Sequence, residues 1–258
     1  MNAAVRLEVL PDAIAIGRRA AEIVAGELHG GGLRVFGVAT GSSPSPLYEA
    51  LHQLGLFGWR DVQVCALDEY VGLGRGHPQS YRSVIDREVR RPLGLPVANI
   101  HVPDGDAADL EAAAAAYEQQ LRDLGGVDLQ VLGIGATGHL GFNEPGSDFA
   151  SRTRPVQLSE QTRTDNARFF ARHDDVPERA LTQGIATISD ARKHLLIVRG
   201  HHKAAALLAA LEGDVSTACP ASALQRFRDV TVLLDPDAAT GLIGGPMAYT
   251  ASATRTKP

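Results

Sequence analysis

Two adjacent carboxylates, Asp68 and Glu69, close the apolar run VQVCAL, and His139 stands five residues before Glu144 in the glycine-rich stretch GATGHLGFNEPGS. A carboxylate at the end of a buried strand can serve as a general base if a substrate strips it of water and presents a carbon acid. It can equally cap the following turn. Neighbouring side chains leaving a strand point to opposite faces, so at most one of the pair meets a common pocket. His139 is the group most easily poised near neutral pH, and Glu144 could orient the imidazole or hold its proton. A lone histidine after a strand is more often structural; the nearby carboxylate and the glycines at 133, 135 and 138, which let backbone approach a ligand closely, shift the reading toward catalysis.

A second group of residues suits an anion. In ATGSSPSPLYEALHQLG an apolar run leads into Thr40-Gly41-Ser42-Ser43, and Pro44 opens a helical pattern with Ser43 as its expected N-cap. Such a turn exposes backbone N–H groups and the positive end of a helix dipole, which suits phosphate, although the loop is neither GxxxxGK[ST] nor GxGxxG. Only three of the 25 basic residues are lysines: Lys193, Lys203 and Lys257. Lys203 begins the helical stretch HKAAALLAALEG, where a cation opposes the dipole unless an anion offsets it. The arginines 152, 154, 163 and 168 of SRTRPVQLSEQTRTDNARFF read either as solvated charge or as further anion contacts.

These residues need a frame. Five apolar runs, LRVFGVA (33–39), VQVCAL (62–67), VDLQVLGI (127–134), HLLIVRG (194–200) and VTVLLD (230–235), are continuous, as expected for strands buried on both faces of a parallel sheet. Between them run helical patterns, including PDAIAIGRRAAEIVAGEL and the alanine-rich DAADLEAAAAAYEQQLRDLGG, which ends in a glycine stop. The alternation predicts an α/β fold: a doubly wound, mostly parallel sheet in three layers with helices on both faces. Ligands in such sheets collect beyond the carboxyl ends of the strands, so polar residues just after the apolar runs carry the most weight. No linker or internal repeat interrupts the chain, and a single domain over 1–258 is expected, with the last stretch, 239–258, loosely held.

Composition narrows the class. The 258 residues are 44% hydrophobic and 21% charged, and a net charge of -5 offers no electrostatic reason for a nucleic-acid partner. Cys65 and Cys219 fall in no zinc or disulfide pattern, and Cys65 is expected to pack as a small hydrophobe. No run approaches 18 apolar residues, and Arg18-Arg19 lies in an amphipathic pattern without a signal-type apolar core. The expectation is a cytoplasmic protein with no membrane partner and no metal.

With ATGSSPSPLY, LDEYVGL…HPQSY, GIGATGHLGFNEPGS, SRTR…LSEQTR…NARFF, ALTQGIATI and CPASAL in the same order and spacing, nearly the whole chain resembles the glucosamine-6-phosphate deaminase family. The resemblance implies conversion of glucosamine 6-phosphate and water to fructose 6-phosphate and ammonia, without metal or organic cofactor. It implies Asp68 as the base moving a proton from C2 to C1, His139 with Glu144 opening the sugar ring, and Gly41, Ser42, Ser43, Arg168 and Lys203 holding the phosphate.

Two positions depart from the family's pattern. Thr137 stands where the family usually carries Asp or Asn, and a hydroxyl cannot supply the compensating charge of a carboxylate. The expectation is weakened or reshaped ring opening with isomerisation retained. Arg154 is present, but Val156 takes the place of the second basic residue with which some bacterial relatives bind an allosteric amino-sugar phosphate, so that control is not expected. Three alternatives stay open: a 6-phosphogluconolactonase-like hydrolase, action on the galactosamine epimer, and a sugar-phosphate sensor without chemistry. A homo-oligomer is neither implied nor excluded.

Overall fold

The computed structural model describes residues 4–242 and 253–255; of the C-terminal stretch expected to be loosely held, 243–252 and 256–258 lie outside the described residues. The strands are β1 (Ala4–Val9), β2 (Val35–Val38), β3 (Gln63–Ala66), β4 (Asp68–Tyr70), β5 (Ile100–His101), β6 (Leu129–Leu132), β7 (Arg154–Gln157), β8 (Arg179–Thr182), β9 (Lys193–Val198), β10 (Asp229–Leu234) and β11 (Ala253–Arg255). The helices are α1 (Ala13–His29), α2 (Ser45–Leu54), α3 (Tyr81–Ile85), α4 (Arg91–Leu93), α5 (Leu110–Asp123), α6 (Glu160–Asn166), α7 (Ile185–Ser189) and α8 (Ala204–Glu212).

All five expected strands join one sheet, in the order β11-β1-β10-β9-β6-β2-β3-β5, parallel except for β11 against β1. Alternate residues of β9 show why these strands are apolar throughout. Leu196 and Val198 pack into one core with α7 and α8, whereas Leu195 and Ile197 pack into a second with α1 and α2. The sheet is therefore the middle of three layers, and both faces are buried. Asp12 caps α1 by accepting from Ala15 N at 2.8 Å, and Asp109 caps α5 through Ala112 N at 2.9 Å. Cys65 is fully buried beneath α5, as a small hydrophobe.

A second, three-stranded antiparallel sheet, β4-β8-β7, was not apparent in the apolar pattern. Its strands are three or four residues long, and β7 is only partly buried and contains Pro155. The small sheet matters because it sets Asp68 opposite Thr182, and Thr182 opposite Arg154. Asp68 thus opens a new strand after Leu67 and does not close β3.

Candidate active site

The order of the large sheet turns at one place. From β2 the chain proceeds outward to β3 and β5, while β6 and its successors lie on the other side. Ligands of open α/β sheets bind at such a crevice, beyond the carboxyl ends of the strands. The loops leaving β2 and β6 are TGSSP and GIGATGHLGF, and a cavity of about 760 Å³ opens between them. Asp68, His139, Gly41, Ser42, Ser43, Arg168 and Lys203 all line it. Thr137 and Glu144 contact His139 without lining the cavity.

The two adjacent carboxylates divide as strand geometry requires. Glu69 turns away and accepts from the N–H groups of Tyr70 and Tyr81 at 2.8 Å and of Arg82 at 2.9 Å, so it caps the turn into α3. Asp68 faces the cavity and is 6% exposed. Burial, and then the charge of Glu69, push its carboxyl well above the ordinary carboxylate range. Gly141, at φ +55°, allows backbone to pass beside it; a Cβ there would stand 3.2 Å from Asp68 Oδ2 and 3.0 Å from Thr182 Oγ1.

His139 lies across the Cα of Gly135. A Cβ on Gly135 would fall 2.0 Å from the imidazole, so only glycine fits. Gly138, at φ +82°, makes the turn back toward the histidine. Thr137 Oγ1 hydrogen-bonds His139 Nδ1 at 3.0 Å, while Glu144 Oε2 stands 3.7 Å from the same nitrogen. Thr137 therefore makes the direct hydrogen bond and Glu144 supplies charge from slightly farther away. The carboxylate is itself fixed, because Glu144 Oε1 accepts from Ser159 Oγ at 2.8 Å and from Thr162 Oγ1, both at the start of α6. Nε2 meets no protein partner among the described residues. Burial lowers the imidazole's pKa below its ordinary value, Glu144 opposes this, and Lys203 reinforces it. The site thus favours a neutral imidazole, able to accept a proton.

The far end of the cavity is cationic. Lys203 Nζ donates to Ser43 Oγ at 2.9 Å, and Arg168 Nη2 donates to Ser42 Oγ at 3.3 Å. Ser43 does not cap α2 as the sequence suggested. The helix begins at Ser45 with no side-chain cap, and the Ser43 hydroxyl is turned to Lys203, 160 residues away in the chain. Burial, followed by the charges of Arg168 and Arg199, lowers Lys203 to about 8.

Several cavity residues went unnoticed in the sequence. Tyr70, Tyr81 and Phe142 form an aromatic wall, with Tyr81 and Phe142 stacked at 6.0 Å, and Phe170 meets Tyr70 edge-on at 5.8 Å. All four lie inside the quoted motifs but carry no pattern beyond apolarity. Arg199 also lines the cavity, directly after β9, where the strand-end criterion could have found it. Arg154 is engaged locally: it donates to Asn143 Oδ1 at 2.8 Å and to Ser147 Oγ at 3.2 Å. Among the described residues no group of three or more His, Cys, Asp or Glu side chains is arranged to hold a metal ion.

The model of the family described as glucosamine-6-phosphate isomerases/6-phosphogluconolactonase matches residues 13–233. A glucosamine-6-phosphate deaminase of Arthrobacter sp. (strain FB24) is 52% identical over 237 residues, covering 91% of each chain. The Streptomyces coelicolor enzyme of the same name is 50% identical over 238 residues, again 91% of each chain. Among solved structures, a monomeric glucosamine-6-phosphate deaminase superposes with a TM-score of 0.88 at 40% identity, covering 91% of this chain and 99% of its own. The 6-phosphogluconolactonase of Trypanosoma cruzi has a TM-score of 0.75 at 19% identity, covering 94% of this chain and 98% of its own, and shares the fold.

Proposed function

This chain belongs to the glucosamine-6-phosphate isomerase/6-phosphogluconolactonase family, and we propose how its residues carry out the deaminase reaction, in which glucosamine 6-phosphate and water give fructose 6-phosphate and ammonia. Carriage of the chemistry by one domain over 1–258, in the cytoplasm, is part of the proposal. No helix among the described residues is long and apolar enough to cross a membrane.

The reaction begins with a closed pyranose. His139, neutral and held at Nδ1 by Thr137 and Glu144, accepts the C1 hydroxyl proton at Nε2 and delivers a proton to the ring oxygen, giving the open-chain aldehyde. The C2 proton is then acidic because it lies next to the C1 carbonyl. Asp68 removes it as the C2 ammonium gives up one proton and O1 gains one, leaving an enediol-type intermediate with a neutral amine on C2, and Asp68 then returns its proton to C1. The product is a C1 hydroxymethyl beside a C2 iminium. Water adds to C2, ammonia leaves, and fructose 6-phosphate remains.

The phosphate is held at the cationic end by the backbone of Gly41, Ser42 and Ser43 with Arg168 and Lys203. Binding energy gained there fixes C1 and C2 against Asp68, converting remote contacts into orientation at the reacting carbons. The observation that carries this reading is the location of a buried carboxylate and a cationic serine loop in one cavity. The test is incubation with glucosamine 6-phosphate while ammonia and fructose 6-phosphate are followed together. Equal appearance of both is expected. Calorimetric binding without product would favour a sensor, and hydrolysis of a phosphogluconolactone without ammonia from the amino sugar would favour the lactonase reading.

A phosphate monoester is a dianion above its second pKa of about 6, and Lys203 in the free enzyme loses its proton near 8. As pH rises through that value the site loses a cation, so KM should increase and kcat/KM should fall on the alkaline side. A flat KM across that range in initial-rate measurements would remove Lys203 from phosphate binding. Replacing Thr137 with Asp sets a carboxylate beside Nδ1 and favours the imidazolium that burial now disfavours. Thr137→Asp should raise turnover several-fold in a steady-state ammonia assay; an unchanged rate would count against a ring-opening role for this position.

A further inference from the structure

Resting on the sugar-phosphate reading of the cavity, we propose that Arg199 is a third cationic ligand of the substrate's phosphate.

Three observations converge on it. The first is the backbone of the serine loop. Ala39 O accepts from Tyr48 Oη at 2.7 Å, Gly41 O from Ser45 Oγ at 3.0 Å, Ser42 O from Arg199 Nη1 at 3.1 Å and Pro44 O from Leu47 N at 2.9 Å. These carbonyls are each taken up by protein donors, whereas the N–H groups of Gly41, Ser42 and Ser43 meet no protein acceptor among the described residues. All three residues border the cavity, so these donors are open to an anion that enters it. Arg199 is the side chain that holds the middle carbonyl.

The second is the state of the guanidinium. Its Nε is buried without a hydrogen-bond partner, and Arg199 borders the cavity. Arg168 and Lys203 border the same space, and the charges of both arginines depress Lys203. Gathering three cations and leaving a buried N–H unpaired is unfavourable unless an anion lies among them. A phosphate dianion lying among them offsets the mutual repulsion of the three cations. The third observation is rigidity. Gly200, at φ +88°, turns the chain immediately after Arg199, and Asp235 accepts its N–H at 2.9 Å and 3.0 Å. Arg199 therefore leaves the end of β9 in a fixed direction, and its charge persists at pH values where Lys203 is neutral.

A brace for the serine loop and a ligand for phosphate predict different behaviour. Arg199→Gln keeps an amide donor for Ser42 O but removes the charge, whereas Arg199→Lys keeps the charge. If Arg199 binds phosphate, Arg199→Gln should raise KM for glucosamine 6-phosphate by roughly 10- to 100-fold, with kcat falling far less. It should raise the inhibition constant of inorganic phosphate by a similar factor, and Arg199→Lys should recover most of both. Arg199→Gln behaving like the parent, or recovering better than Arg199→Lys, would make the residue a brace and overturn the proposal. Calorimetric titration with inorganic phosphate separates this question from the deaminase reading. A parent that forms no ammonia but binds phosphate, with binding lost in Arg199→Gln, removes the reaction and leaves the ligand assignment standing. A parent that binds no phosphate overturns the assignment.

Discussion

Asp68→Asn should lower kcat for ammonia release by on the order of 10³- to 10⁴-fold, the upper part of the range for loss of a positioned general base. The amide has the shape of the carboxyl but cannot take the C2 proton. The residue's surroundings make a second expectation, which separates lost chemistry from lost folding. Asp68 is buried, and both burial and the neighbouring charge of Glu69 raise its pKa in the folded protein. The folded state therefore binds this proton more tightly than the unfolded chain, whose aspartate titrates near ~3.9. Stability from this group is complete below the unfolded value and falls as pH rises through the folded one. Once the pH passes the folded value, the parent carries a destabilising buried charge that the asparagine variant lacks. On that alkaline side Asp68→Asn should unfold at the same temperature as the parent or higher, while being nearly inactive. Turnover within about tenfold of the parent, in a variant of intact stability, would remove Asp68 as the base.

The fold and the site differed in how far they could be read from residue order. Strands β2, β3, β6, β9 and β10 were legible because each is buried on both faces and so spells a continuous apolar run. β1 escaped notice because AVRLEV alternates: Arg6 pairs with Asp229, and Glu8 with Arg19 at 2.7 Å. The small sheet left no signal, since strands of three or four residues are too short to show a period. The loop positions were legible because strand ends collect ligands, but their local chemistry was partly overridden. Ser43 satisfies every short-range rule for an N-cap, yet its hydroxyl is taken by Lys203 from β9's far side of the sequence. Glu144 is legible as a carboxylate able to orient the histidine, and it stands 3.7 Å from Nδ1, while the Thr137 hydroxyl makes the hydrogen bond to that nitrogen at 3.0 Å. Arg199 met the strand-end criterion and was still passed over, because arginine is abundant in this chain and lysine is rare. Only distance in space distinguishes it from the surface arginines.

His139→Gln should lower the forward rate from the closed pyranose by on the order of 10²- to 10³-fold, within the range for one acid–base group. Its more informative effect concerns which half of the reaction survives. The glutamine amide can still hydrogen-bond near Thr137, but it cannot exchange a proton between the C1 hydroxyl and the ring oxygen. Asp68 works only on the open chain, and nothing in its surroundings depends on the imidazole: its backbone is held by β8 through Thr182, and Leu67 before it by Val38 and Gln183. Run in reverse in deuterated water with ammonium, fructose 6-phosphate should still exchange a C1 hydrogen in His139→Gln, because that step needs the ketose's open form and Asp68 alone. Exchange should vanish in Asp68→Asn. The two variants would then divide the reaction between ring opening and proton transfer along carbon. Should C1 exchange fall in His139→Gln as steeply as the forward rate, the imidazole must act on the carbon skeleton itself. The division of labour between the β6 loop and the start of β4 would then be wrong.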